Sequence, residues 1–126
     1  MSDVSQENVQ EKIKEFQQMQ QQIQALSQQI SQMDMAIGEN NRTLEELKNC
    51  EKDAILYRSI GSVMKKVDDV KQLKRDLEDE KETIAIRNKA LKDQLESMNK
   101  KLIKMQKNLA PVVQSMQDTN EKNASN

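Results

Sequence analysis

Two seven-residue repeats flank a short apolar stretch that breaks them, and this constrains the chain more than any other feature. In the first half Val9, Phe16, Ile23, Ile30, Ile37 and Leu44 recur every seventh position. Three positions after each come Lys12, Met19, Leu26, Met33, Asn40 and Leu47. The second half runs through Val70, Leu77, Ile84, Leu91, Met98, Met105 and Val112. Four positions after each come Lys74, Lys81, Asn88, Leu95, Leu102, Leu109 and Met116. An apolar seam kept over six or seven heptads is the signature of a coiled coil. Each seam predicts a helix of about 45–50 residues, ~70 Å long at 1.5 Å per residue.

Disorder is the main competitor, because mean hydropathy is −0.93 and 33% of residues are charged. The net charge is only −1, however, and the apolar residues are periodic, which decides for helix. A compact domain is disfavoured by the 2% aromatic content and by having only two Gly and one Pro in 126 residues.

Between the helices, Ile55 to Val67 is rich in β-branched residues around Gly61. This reads as two short strands joined by a turn in which Gly takes φ > 0. Asp68 or Asp69 caps the following helix, and Gln72 sits at the third helical position of a box opened by Asp69. The expected organisation is a single unit: a helix over 5–52, a β-hairpin over 53–68 and a helix over 69–110. Pro111 is expected to kink or fray the helix, and residues 118–126 to form a flexible tail.

A fold-back through the hairpin brings the seams together antiparallel, pairing Leu44 with Leu77, Ile37 with Ile84, Ile30 with Leu91, Ile23 with Met98 and Phe16 with Met105. A shift of one heptad would also match the seams. Polar Asn40, Lys81 and Asn88 fall within the seam, where such residues fix register at some cost in stability.

The predicted hairpin cannot stand alone. A two-stranded sheet is marginal in water, and both of its strands are open edges. Ile55, Leu56, Tyr57, Ile60, Val63, Met64 and Val67 would have only the mouth of a narrow coil to cover them. Pairing with hairpins of other chains is the physical remedy, so the chain is expected to be an oligomer subunit assembled through these residues and Gly61.

Catalysis finds no support: with no His and one Cys, the usual acid–base, triad and zinc sets are absent. Neither GxGxxG nor GxxxxGK[ST] occurs, and no cofactor is expected. No apolar run approaches the ~18 residues of a membrane span. The segment MSDVSQENVQEK lacks the basic and apolar regions of a signal peptide. The single Cys50 fits a reducing compartment, so a cytoplasmic location is expected. Lys100, Lys101, Lys104 and Lys107 form a local basic surface without aromatics to stack bases, so nucleic acid is not an expected partner. A solvated face is the simpler reading; helping to hold acidic clients is the other.

The long helix, the hairpin Leu56-Tyr57-Arg58-Ser59-Ile60-Gly61-Ser62-Val63-Met64 and the returning helix together resemble a beta-class prefoldin subunit, and LEDEKETIAIRNKAL, from Leu77 to Leu91, is similar to archaeal members. Alpha-class subunits carry two hairpins, and this chain has room for one. Lys65 and Lys66 depart from the more apolar second strand of relatives. The resemblance implies a mainly α fold: a long antiparallel two-helix coiled coil joined by a single β-hairpin that assembles into an oligomeric β-barrel platform. It implies a hexamer of two alpha-class and four beta-class subunits. Such an assembly captures unfolded polypeptides without ATP and delivers them to the double-ring group II chaperonin. Client contact would then fall at the coil tips, on Val4, Val9, Ile13, Phe16, Met19, Met105, Leu109, Val112, Val113 and Met116. Flexible Met suits a surface that accepts many apolar shapes. The alternative function is a structural coiled-coil spacer or tether.

Overall fold

The computed structural model describes residues 6–124, with side chains described over 8–115. Helix α1 spans Gln6–Lys48, strand β1 Tyr57–Ile60, strand β2 Val63–Lys66 and helix α2 Val70–Ala124. The chain divides into two compact units, a terminal unit of Met1–Gln29 with Leu91–Asn126 and a hairpin unit of Ile30–Ala90.

In the hairpin unit the seam is built on buried Ile30, Leu47 and Leu77, with Ile37, Leu44 and Ile84 half-buried. Asn88, only 3% exposed, is the buried polar residue among those described. Its Nδ2 donates a 2.7 Å hydrogen bond to Asp34 Oδ1. Residue 34 therefore lies beside residue 88, within one residue of the register that pairs Ile37 with Ile84, and the heptad-shifted alternative is excluded. Facing the amide's donor end toward the carboxylate leaves Asn88 Oδ1 buried without a partner. An unsatisfied buried acceptor costs about 1–3 kcal/mol, which is the penalty for a polar layer that tolerates one register only.

Helix α1 ends at Lys48, four residues before the expected 52. The Asn49 N–H bonds back to the carbonyls of Glu45 and Glu46, both at 3.2 Å, and the Cys50 N–H to that of Leu47 at 3.4 Å. The reason is the seam itself. After Leu47 the next seam position is Glu51, which is exposed, so no apolar contact offsets the cost of further helix. A turn closed by the Ala54 N–H on the Glu51 carbonyl at 3.1 Å then leads into the hairpin.

The strands pair Tyr57 with Lys66, Arg58 with Lys65, Ser59 with Met64 and Ile60 with Val63. The two-residue loop between them is Gly61-Ser62. Gly61 has φ +59°, and no non-Gly residue among those described has positive φ, which matches a type II′ turn with Gly in its first central position. The Val67 N–H donates to the Leu56 carbonyl at 2.9 Å and extends the ladder one pair beyond the strands. Asp69 caps α2: its Oδ1 accepts from the Gln72 N–H at 3.0 Å. The reciprocal bond of a capping box is not made, because the Gln72 side chain instead donates to Asp76 at 2.8 Å and accepts from Arg75 at 2.9 Å.

In the terminal unit Val9, Leu26 and Leu109 are buried, while Ile13, Phe16, Met19, Ile23, Leu95, Met98, Leu102 and Met105 are half-buried. A two-helix seam covers its residues from one side, so half-burial is its normal state. Helix α2 does not stop at 110, nor is 118–126 a tail from its start: the helix runs through Pro111 to Ala124. Proline removes one helical N–H and costs about 3 kcal/mol inside a helix. Buried Leu109 and half-buried Val112 and Val113, on either side of it, hold the segment on the seam and offset that cost.

Replacing Asn88 by Asp would set two carboxylates against each other in the seam. At pH 7 the Asn88→Asp variant should lose about 3 kcal/mol in urea unfolding, because a buried charge would face a like charge. Acidification to about pH 4 should recover much of that loss, since mutual repulsion raises one of the two carboxyl pKa values and its protonation restores a donor.

Candidate functional site

The hairpin presents two chemically different faces, because successive side chains of a strand alternate. Leu56, Arg58, Ile60, Val63, Lys65 and Val67 share one face. It looks toward the start of α2, forming a groove with Asp69, Gln72 and Leu73. Leu56 and Val67 are half-buried here. Arg58 and Lys65, like charges placed opposite each other, would repel. Arg58 Nη2 instead reaches Glu80 Oε1 at 2.7 Å. With both side chains substantially exposed, that pair contributes no more than about 1 kcal/mol, but it orients the arginine along α2.

Ile55, Tyr57, Ser59, Met64 and Lys66 share the other face, and all five are exposed. Ile55 is 67% exposed and Met64 64%. On the first face Ile60 and Val63 at the turn are also open to solvent, Val63 at 62%. Five of the large apolar side chains most exposed in the described residues thus fall within ten residues of one hairpin. Patches of this kind on a soluble chain mark an interaction surface.

The backbone leads to the same conclusion. The Val67–Leu56 bond sets the alternation of the ladder, so Leu56, Arg58 and Ile60 bond inward to Val67, Lys65 and Val63. The N–H and C=O groups of Tyr57 and Ser59 then point out along one edge, and those of Met64 and Lys66 along the other. The sheet has two strands only, so neither edge is paired by another strand. All eight residues expected to drive assembly are therefore in one element, six of them exposed and Leu56 and Val67 half-buried.

The residues expected at the tips divide differently. Val4 and the Met116 side chain lie outside the described residues. Ile13, Phe16, Leu109 and Val113 come together in a groove of the terminal unit, joined by Gln17, Gln20, Gln106 and Ala110. No charged side chain lines it. Val9 and Leu109, at 2% and 7% exposure, are buried in the seam of the free chain. Their seam positions dictate this, since both helices of the coil contribute cover there. Met19, Met105 and Val112 are half-buried at seam positions and outside the groove.

Two contacts escaped the sequence. Asp34, the partner of Asn88, sits one position off the seam and carries no periodic signal. Glu80, the partner of Arg58, lies in the acidic run Asp76–Glu82 of α2, where several carboxylates were equally placed. Among the described residues, no cluster of three or more His, Cys, Asp or Glu side chains could hold a metal ion. No described helix is long and apolar enough to cross a membrane. Cys50 is an exposed free thiol.

A family model described as prefoldin subunit matches residues 10–116. The chain belongs to the prefoldin family. Relatives include the prefoldin subunit beta of Thermoplasma volcanium, 33% identical over 98 residues that cover 78% of this chain and 79% of that one. The prefoldin subunit beta of Methanococcoides burtonii is 36% identical over 104 residues, covering 80% of this chain and 86% of the relative. In fold, the chain is similar to the crystal structure of the prefoldin beta subunit from Thermococcus strain KS-1. The TM-score is 0.75 at 24% identity, over 89% of this chain and 96% of that chain. The single hairpin between two long helices agrees with the beta class of prefoldin subunits.

Val63→Asp changes a side chain that touches little within its own chain, and it would place a charge on the surface through which prefoldin hairpins would pair. The isolated variant should keep its helical content by circular dichroism, while sedimentation velocity should show association through the hairpin weakened by about a hundredfold or more, in line with several kcal/mol for a buried unpaired charge.

Proposed function

We propose that this chain is the beta-class subunit of a prefoldin hexamer, four copies joining two alpha-class subunits, that holds unfolded polypeptides without ATP and passes them to the group II chaperonin of the cytoplasm. The observation that carries the assembly half of this reading is the hairpin: open on both edges, apolar on both faces, and satisfied only by other strands. Hairpins of neighbouring subunits supply backbone partners for Tyr57, Ser59, Met64 and Lys66 and close into a barrel. Membership of a chaperone family supports a binding role and gives no ground for an enzymatic one.

A spacer or tether is the weaker reading. Reversing a coiled coil needs only a short loop, and a spacer gains nothing from exposed Ile55, Tyr57, Ile60, Val63 and Met64. Such a surface is an aggregation liability unless a partner covers it.

The client surface follows from the terminal groove. Half-exposed Ile13, Phe16 and Val113, over buried Leu109, offer an apolar floor rimmed by glutamines. Burying one such side chain fully contributes about 1.5–3 kcal/mol, so each groove binds weakly. Several grooves on one platform add through effective concentration, which gives firm holding with rapid local release. Buried Leu109 supports the groove from beneath.

Co-expression with an alpha-class subunit, read by native mass spectrometry, should give a particle of two alpha and four beta chains. That particle should suppress light scattering by a chemically unfolded client. The double variant Ile13→Ser, Val113→Ser should assemble normally and lose at least about threefold in that suppression, as expected for the loss of weak apolar contacts. Full protection by the double variant would move the client surface away from the groove.

A further inference from the structure

The outward face of α2 in the terminal unit is unlike the rest of the chain. From Ser97 to Gln117 the helix contains four lysines and no acidic residue, and α1 from Phe16 to Gln29 contains no charged residue at all. The whole chain has 20 Lys and Arg against 21 Asp and Glu, so outside this stretch acids outnumber bases, 21 to 16. Lys100, Ile103, Lys104 and Lys107 follow the i, i+3, i+4, i+7 spacing that puts side chains on one helix face. The seam residues Met98, Leu102, Met105 and Leu109 occupy the opposite face, so this stripe points away from α1. All four lysines are exposed. Ile103, at 51%, is the strongly exposed large apolar residue of the terminal unit among those described, and it lies between Lys100 and Lys107. Lys100 makes one ion pair, with Glu96 at 3.4 Å, in which both side chains are about 70% exposed and which contributes little.

We propose that this stripe is a docking surface for an acidic polypeptide segment that carries an apolar residue among its carboxylates. The stripe spans roughly 10 Å of helix at 1.5 Å per residue, the length of two turns of a helical partner or three residues of an extended one. Three or four carboxylates match the lysines, and the apolar residue covers Ile103, the arrangement by which a helix face reads a partner through spaced anchors. Complementary charge of this kind sets encounter rate and selectivity more than raw affinity. Nucleic acid fits less well, because base stacking needs aromatic platforms and the chain's single Phe lines the groove while its single Tyr is in the hairpin. An anionic membrane fits less well too, since one isoleucine offers too little apolar surface for interfacial binding. The surface is separate from the apolar groove and does not depend on the client-holding role.

The probe is a fluorescein-labelled peptide of about twelve residues, long enough to span the stripe, made of glutamate and alanine around one central leucine. Its binding to the full-length protein, alone and in the assembled particle, is read by fluorescence anisotropy. Lys104→Glu with Lys107→Glu should weaken binding at least about tenfold, and Ile103→Ser about threefold. Raising salt from about 50 to about 300 mM should weaken binding to the parent protein by a similar factor. The milder Lys104→Gln, Lys107→Gln variant should fall between, and covers any loss of folding in the reversed one. A matched reversal elsewhere, Lys52→Glu with Lys71→Glu, should leave binding within a factor of two of the parent, as distant exposed charges do. Unchanged binding by both stripe variants overturns the proposal. So does tighter binding of a single-stranded oligonucleotide or of phosphatidylserine vesicles than of the peptide. Client protection by the groove should be unmoved by the stripe variants, so the two sites fail or survive separately.

Discussion

A strand edge must find a hydrogen-bonding partner, and in this chain two edges four residues long have none but solvent. The distinctive features of the segment from Ile55 to Asp69 follow from that requirement. The type II′ turn at Gly61 keeps the hairpin tight, so its edges stay parallel to the strands and are not wrapped by loop. Asp69 starts α2 three residues after β2 ends, which leaves no spare chain to cover either edge. In the proposed assembly the exposed apolar residues supply the burial that makes edge pairing with another subunit favourable. Lys66, whose backbone lies on an edge, restrains the pairing that a fully apolar strand would offer to any passing chain.

The helices answer a different requirement. A two-helix seam buries few side chains completely, and only Val9, Leu26, Ile30, Leu47, Leu77 and Leu109 are buried among the apolar residues described. Stability is therefore spread along many half-buried layers, none of them dominant. Such a seam is prone to slip by a heptad, since the apolar layers of neighbouring registers look alike. The Asn88–Asp34 bond breaks that degeneracy, because any other register buries an amide without its carboxylate. The same thin seam leaves Ile13, Phe16 and Val113 half-exposed in the terminal unit, so a surface able to hold apolar segments needs no dedicated pocket.

Much of this was legible in the residues because it depends on local or periodic signals. Heptads report helices, Gly61 reports a positive φ, and Asp69 followed by Gln72 reports a helix start. What the sequence misplaced depended on tertiary balance. Pro111 is a strong local breaker, yet the packing of Leu109, Val112 and Val113 carries the helix through it to Ala124. The end of α1 at Lys48 reflects a lost seam contact at Glu51 rather than any stop residue. Val9 and Leu109 were legible as seam positions near the ends, but the depth of their burial was not, since it depends on which layers the partner helix covers. Asp34 gave no signal because off-seam acids are ordinary on a coiled coil.

In the proposed assembly, the free edges of the hairpin are what association satisfies. Amide hydrogen exchange at Tyr57, Ser59, Met64 and Lys66, compared between the isolated chain and its complex with an alpha-class subunit, tests it most directly. These four N–H groups should exchange at close to solvent-exposed rates in the isolated chain and slow by about a hundredfold or more in the complex, as amides do when they enter a stable ladder. A complex that forms while these amides still exchange freely, with protection appearing only along the helices, would contradict the account.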